Sequence, residues 1–230
     1  MTNPFNRVDP EKTLVAYERL VETYGPRSVR PGGDPLEALI QTILSQNTSD
    51  TNSGRAFRNL KAIYPTWEEV IDAPTDELYE AIKSAGLGRI KAPRIQQTLR
   101  EVLKRRGALD LGFLDDMPLD EAKRWLIALA GIGPKTAACV LLFALGRPAL
   151  PVDTHVHRVA KRLGLIALTV SADAAHDLLE AVLPPEAVYA FHVDMIQHGR
   201  RICHAQRPEC VRCPLRDICD YYQAFERLSL

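Results

Sequence analysis

The sequence predicts an all-α protein. Three observations carry that expectation: apolar residues recur at helical spacing along almost the whole chain, period-two strand patterns are nearly absent, and Gly, Pro and capping residues interrupt the helical runs at short intervals. Composition agrees, with 46% hydrophobic residues and only 7% aromatics, the apolar share being mostly Ala, Val, Ile and Leu. A length of 230 residues suits one large domain or two small ones sharing a cleft.

Taken in order, the first helix is expected over 10–24. The second has the clearest start: Asp34 as N-cap, Pro35 in the first turn, then Leu36, Leu39, Ile40, Ile43 and Leu44 on one face. Helices follow over 51–63, 67–71, 75–84, 88–105, 119–129 and 135–145, and then over 153–163, 171–183 and 186–199. Breaks fall at Gly25-Pro26, Pro31-Gly32-Gly33, Tyr64-Pro65, Pro74, Gly107, Pro118, Gly146-Arg147-Pro148, Gly164 and Pro184-Pro185. The one β-like run, 148–152, reads as a linker. The 135–145 segment is apolar on all sides after its first turn, which predicts a buried central helix with Cys139 as a small core residue.

Charge and hydropathy exclude several classes. Basic and acidic residues both number 29, so a nucleic-acid-binding face must be local. No stretch approaches the roughly 18 apolar residues of a membrane span, and Met1–Val8 lacks the apolar run of a leader. A cytoplasmic protein is expected, nucleoid-associated if bacterial. Four of the five cysteines crowd into 203–219, which in that compartment points to metal rather than disulfides.

Three segments carry chemistry. The first, Ala130 to Ala137, is a hairpin between two helices. Gly131 and Gly133 permit positive φ and close approach of a ligand, Ile132 anchors the turn in the core, and outward N–H groups make a phosphate site. A third glycine and a preceding strand are missing, so a dinucleotide fold is excluded. Lys135 opens the following helix, where the macrodipole disfavours a cation and so favours the free amine a Schiff-base nucleophile needs.

The second segment, Val152 to Val159, begins with Asp153, placed to cap a helix and equally able to stabilise positive charge on a sugar or move a proton. His155 and His157 lack ligand-spaced partners and suit packing or DNA-backbone contact, not metal. Arg158, Lys161 and Arg162 form a basic stripe, either solvated or set against phosphates. The third segment is C-x6-C-x2-C-x5-C at Cys203, Cys210, Cys213 and Cys219. Four thiolates suit tetrahedral zinc or a [4Fe–4S] cluster, and the single C-x2-C pair favours iron–sulfur over a two-knuckle zinc ribbon. The surrounding Arg200, Arg201, His204, Arg207, Arg212 and Arg216 could hold phosphates or form a solvated rim.

LAGIGPKTA at 129–137, PVDTHVHRV at 151–159, the 18-residue interval from Lys135 to Asp153 and the cysteine spacing occur here in one order. Together they resemble endonuclease III and its helix-hairpin-helix glycosylase relatives, over about residues 10 to 221. The resemblance implies two helical domains flanking a DNA-binding cleft: a six-helix barrel with the hairpin at 29–146, and an iron–sulfur cluster domain made of 1–28 and 147–230. It implies a monomeric bifunctional DNA glycosylase/AP lyase that takes oxidised pyrimidines such as thymine glycol from double-stranded DNA and also acts at abasic sites; the alternatives are a glycosylase of the same fold with another lesion preference or weak lyase activity, and a non-catalytic, zinc-stapled DNA-binding module. Lys135 matches the nucleophile, Asp153 the essential aspartate, and the four cysteines the [4Fe–4S] ligands. A lysine at that position argues against the monofunctional adenine and thymine-mismatch branches.

The resemblance also implies DNA contacts at Gly131, Ile132, Gly133, Thr136, His155 and Arg158. Leu44 to Asp50 resembles the loop that fills the hole left by a flipped base, with Asn47 where the bacterial prototype has Gln and Gln46 one position earlier. Gly86 to Ala92 resembles a second wedge loop with Leu87 as the intercalating residue; Gly88 replaces a larger side chain there. These departures bear on substrate range more than on chemistry.

Overall fold

The computed structural model describes residues 8–228, with side chains described up to Ala224; most of the Met1–Val8 stretch therefore lies outside the described residues. Those residues are helical throughout, with no strand among them and one isolated bridge between Val8 and Ile166. They divide into two compact units. One takes the residues up to Arg30 and those from Pro148 onward; the other is Pro31–Arg147.

The Pro31–Arg147 unit holds α2 (Pro35–Ser45), α3 (Asp50–Ile63), α4 (Trp67–Asp72), α5 (Thr75–Ile82), α6 (Gly88–Arg106), α7 (Leu119–Ile127) and α8 (Pro134–Cys139). Helix α2 is its axis, packing against α3, α6 and α8. The capping expected of Asp34 is present, its carboxylate accepting from the amides of Leu36 (2.7 Å) and Glu37 (3.0 Å). Leu36, Leu39, Ile40, Ile43 and Leu44 are all fully buried, each such side chain contributing about 1.5–3 kcal/mol. Helix α4 starts on a Thr66–Glu69 capping box. Its end is tied down by Gln96, whose amide donates to the carbonyls of Val70, Ile71 and Ala73.

The expected central helix differs from expectation in two ways. It is α-helical only to Cys139 and continues over Val140–Ala144 as a π turn. It is also buried on most sides rather than all, since Phe143 is 39% exposed and Cys139 half-buried. The widening coincides with how the segment's C-terminal end is held. The Arg147 amide reaches back to the Leu141 carbonyl (2.9 Å), while the Arg147 guanidinium is fixed on the carbonyls of Leu114 and Met117.

The other unit holds α1 (Pro10–Tyr24), α9 (Thr154–Leu163), α10 (Ala172–Glu180), α11 (Val188–Arg201) and α12 (Asp220–Leu228). Helix α11 lies between α1 and α9, and α9 also carries α10 and α12. Arg27 reaches the fully buried Asp194 of α11 at 2.5 Å, and burial holds that carboxyl above its usual range despite the guanidinium. No helix among the described residues is long and apolar enough to cross a membrane.

Candidate active site

The hairpin between α7 and α8 is built as a tight, anchored turn. Of its two glycines only Gly131 needs the left-handed region (φ 78°); Gly133 is extended and caps α8. A side chain at Gly131 would collide with Arg94, whose Nε lies 2.7 Å from where a Cβ would sit. Ile132 is 4% exposed and its amide donates to the Leu129 carbonyl (3.1 Å), so it anchors the turn and neither its side chain nor its N–H is open to DNA. Thr136 is likewise buried, its hydroxyl accepting from Gln46 Nε2 at 3.4 Å. Between these two anchors Lys135 is exposed in the first turn of α8 and makes no hydrogen bond or ion pair with any described residue.

In the other unit, Asp153 caps α9. One oxygen, Oδ1, accepts from the amides of His155 and Val156, both at 2.8 Å, and Oδ2 has no partner among the described residues. The segment that delivers Asp153 is held by residues the sequence did not single out. His176 donates from Nδ1 to the Leu150 carbonyl (2.7 Å) and His192 from Nδ1 to the Pro151 carbonyl (2.8 Å); both histidines are buried. The Leu150 amide donates to Glu180 Oε2 at 2.7 Å. Replacing His192 with Phe strands a buried carbonyl. Urea unfolding should register a loss of about 1–3 kcal/mol.

Two arginines of the expected basic stripe have a different job. The Arg158 guanidinium donates to the carbonyls of Cys203 (3.0 Å) and Gly199 (2.9 Å) and to His155 Nδ1 (3.1 Å). Its Nε and Nη2 donors are engaged inside the protein, so Arg158 staples the cysteine loop, while Nη1 has only a 3.5 Å contact with the Thr154 carbonyl. Accepting at Nδ1 leaves His155 protonated at Nε2. Arg162 similarly donates to the carbonyls of His204 (2.6 Å) and Ala205 (2.9 Å) and to Cys203 Sγ (3.3 Å). In the loop, Arg212 pairs with Glu209 and Arg216 donates to the Val211 carbonyl.

All four expected cysteine ligands line one small cavity, together with apolar Val159, Leu163 and Ile202. No three His, Cys, Asp or Glu side chains among the described residues are disposed to hold a single metal ion. Burial pushes the Cys213 thiol up to about 11, with the neighbouring cysteines adding to the effect, and it raises Cys210 and Cys219 as well. Burial also lowers His198 to about 4, so its ring is neutral at neutral pH. Tyr24 hydroxyl lies 3.1 Å from His198 Nδ1 and Cys213 Sγ 3.5 Å from Nε2. With Tyr24 donating to Nδ1, Nε2–H points at the sulfur, the arrangement that steadies a metal-bound thiolate.

The two loops expected to meet DNA share a backbone feature. Asn47 (φ 54°) and Leu87 (φ 51°) both sit in the left-handed region, and both are exposed, Leu87 by 52%. Gln46 is instead turned inward, accepting from Arg94 at 3.1 Å as well as donating to Thr136. Gly88, the departure noted in the second loop, makes room for Tyr79, whose ring carbon would lie 2.9 Å from a Cβ there.

The fold and the hairpin together define a class, the helix-hairpin-helix DNA repair proteins. Residues 40–185 match the model of the HhH-GPD superfamily base excision DNA repair protein. Endonuclease III of Thermotoga maritima is 38% identical over 83% of this chain and 84% of its own length. Among solved structures, a non-covalent endonuclease III–DNA complex superposes with a TM-score of 0.80 at 31% identity, covering 96% of this chain and all of that one. A trapped endonuclease III–DNA covalent intermediate gives 0.78 at 30% identity, with 96% and 100% covered. The chain belongs to the endonuclease III family: it is an enzyme of the DNA glycosylase/AP lyase class, and its partner is DNA.

Proposed function

We propose that this enzyme removes oxidised pyrimidines such as thymine glycol from duplex DNA and then nicks the strand by β-elimination through a Schiff base on Lys135. The observation that carries the reading is the state of that amine. It is exposed at the mouth of α8, beside an anchored hairpin, and uncommitted to any carboxylate among the described residues. A surface lysine serving only solubility needs no such setting; a nucleophile does. The covalent DNA intermediate known for the related endonuclease III agrees with it.

The neutral amine attacks C1′ and the bond from C1′ to the base breaks, its electron pair leaving with the base, which takes up a proton. The C1′–O4′ bond then opens as the nitrogen forms the C=N bond of the Schiff base, and O4′ takes the proton that the ammonium loses. Removal of a C2′ proton then expels the 3′ phosphate and cuts the strand, and water releases the amine. Asp153 is proposed to stabilise the charge developing on the sugar and to shuttle protons through Oδ2 while Oδ1 keeps the cap. Asn47 and Leu87 enter the stack as the damaged nucleotide leaves it. The hairpin N–H groups at Gly131 and Gly133 hold phosphate, and His155 presents Nε2–H to the backbone. The two compact units correspond, in this reading, to the barrel-and-hairpin domain and the cluster domain of a cytoplasmic enzyme.

The cysteine cavity is read as the seat of a [4Fe–4S] cluster. Four cysteines lining one cavity, whose thiolate forms would repel one another unless neutralised, with an imidazole N–H and a guanidinium on their sulfurs, fit a polynuclear cationic core. When bound, the cluster supplies four iron–thiolate bonds that close the 203–219 loop. Anaerobically purified protein should be brown and carry about four iron atoms per chain; a colourless protein with one zinc would reject this assignment. The functional reading is tested on duplexes each carrying one defined lesion. Release of thymine glycol with a β-elimination product is expected, and a preference for a purine or mismatch lesion would overturn the substrate assignment.

A further inference from the structure

Lys91 of α6 is only 2% exposed, and its ammonium has no carboxylate partner among the described residues. It donates instead to two backbone carbonyls, Leu44 at 2.7 Å and Ala85 at 2.9 Å. Those two carbonyls lie just upstream of the two exposed left-handed tips. Leu44 is three residues before Asn47, at the end of α2, and Ala85 is two before Leu87, at the end of a short 3-10 turn. Helix-end carbonyls lack helical partners, so a cation placed there satisfies both ends at once.

A buried charge of this kind is costly, and burial holds the amine below its usual value. A neutral side chain could pack α6 at less expense. What the ammonium provides, and a hydrocarbon does not, is a fixed link between two loops. One turn further along the same helix, Arg94 ties Gln46 to the hairpin side, so the face of α6 gathers the loops and hairpin into one polar scaffold.

We propose that Lys91 is a positioning residue that couples the tips Asn47 and Leu87, so that both enter DNA at a lesion as a single event. The inference rests on the wedge reading of these tips given above. Glycine tolerates the left-handed region, so Asn47→Gly and Leu87→Gly remove the side chains while keeping the backbone. Binding to a duplex with a tetrahydrofuran abasic analogue, relative to undamaged duplex, reads the tips without any chemistry at Lys135.

With Lys91 present, each single variant should lower that preference about tenfold, and the double variant should fall little further, because one tip cannot enter without the other. In the Lys91→Met background the two losses should multiply. Where Lys91→Met does not fold, Lys91→Gln, too short to span both carbonyls, carries the same cycle. A purely structural Lys91 changes melting temperature but leaves the coupling between the tips intact, and that result would overturn the inference alone. Losses that already multiply with Lys91 present overturn it too. Single variants without effect would remove the wedge reading along with it, whereas failure of covalent trapping would touch only the lyase chemistry.

Discussion

Replacing Lys135 with alanine is expected to abolish both base release and strand cleavage, a loss on the order of 10^4- to 10^6-fold by analogy with removing other covalent nucleophiles. Binding to an abasic-analogue duplex should change no more than a few-fold. The separation follows from where Lys135 sits. Its side chain is exposed and makes no hydrogen bond or ion pair with any described residue, while the turn is held by Ile132 and by the Thr136–Gln46–Arg94 chain. Removal of the amine therefore takes away a reactant and leaves the platform. Single-turnover cleavage and anisotropy on the same duplexes measure the two quantities side by side. A variant that still releases thymine glycol at a substantial rate would require another nucleophile, such as water.

The second large effect separates the cap made by Asp153 from its proposed catalytic duty. Asparagine is as good an N-cap as aspartate, so Asp153→Asn should keep the bonds to His155 and Val156 and unfold within about 0.5 kcal/mol of the parent. Turnover should nonetheless fall about 10^2- to 10^4-fold, because the amide can neither hold positive charge nor move a proton. Asp153→Ala loses the cap as well, adding a stability cost of about 1 kcal/mol. If Asp153→Asn turned over normally while Asp153→Ala did not, the residue would be a cap and nothing more.

Much of this was legible in the sequence for local reasons. The helices announce themselves through caps and breakers that act within a few residues: Asp34-Pro35 starts α2 and Asp153 starts α9 as read. One feature that the local pattern missed is set by distant groups. The π turn at Val140–Ala144 depends on Arg147 being fixed on Leu114 and Met117, some thirty residues upstream. The same limit governs the site. A basic stripe at Arg158 and Arg162 looks identical in sequence whether it faces phosphate or the carbonyls of a loop more than forty residues away. His176 and His192 carry no motif, since their meaning lies in the carbonyls of Leu150 and Pro151. Lys91 reads as one more charge on a polar helix until its two carbonyl partners are seen.

One particular amine, that of Lys135, is proposed to form the covalent bond to DNA. Borohydride reduction during turnover on a thymine glycol duplex, followed by proteolysis and mass spectrometry of the nucleotide-linked peptide, locates that bond directly. The sugar remnant is expected on Lys135, and on no other residue. A remnant on another lysine or on the chain's α-amino group, or efficient base release with no adduct at all, would contradict it.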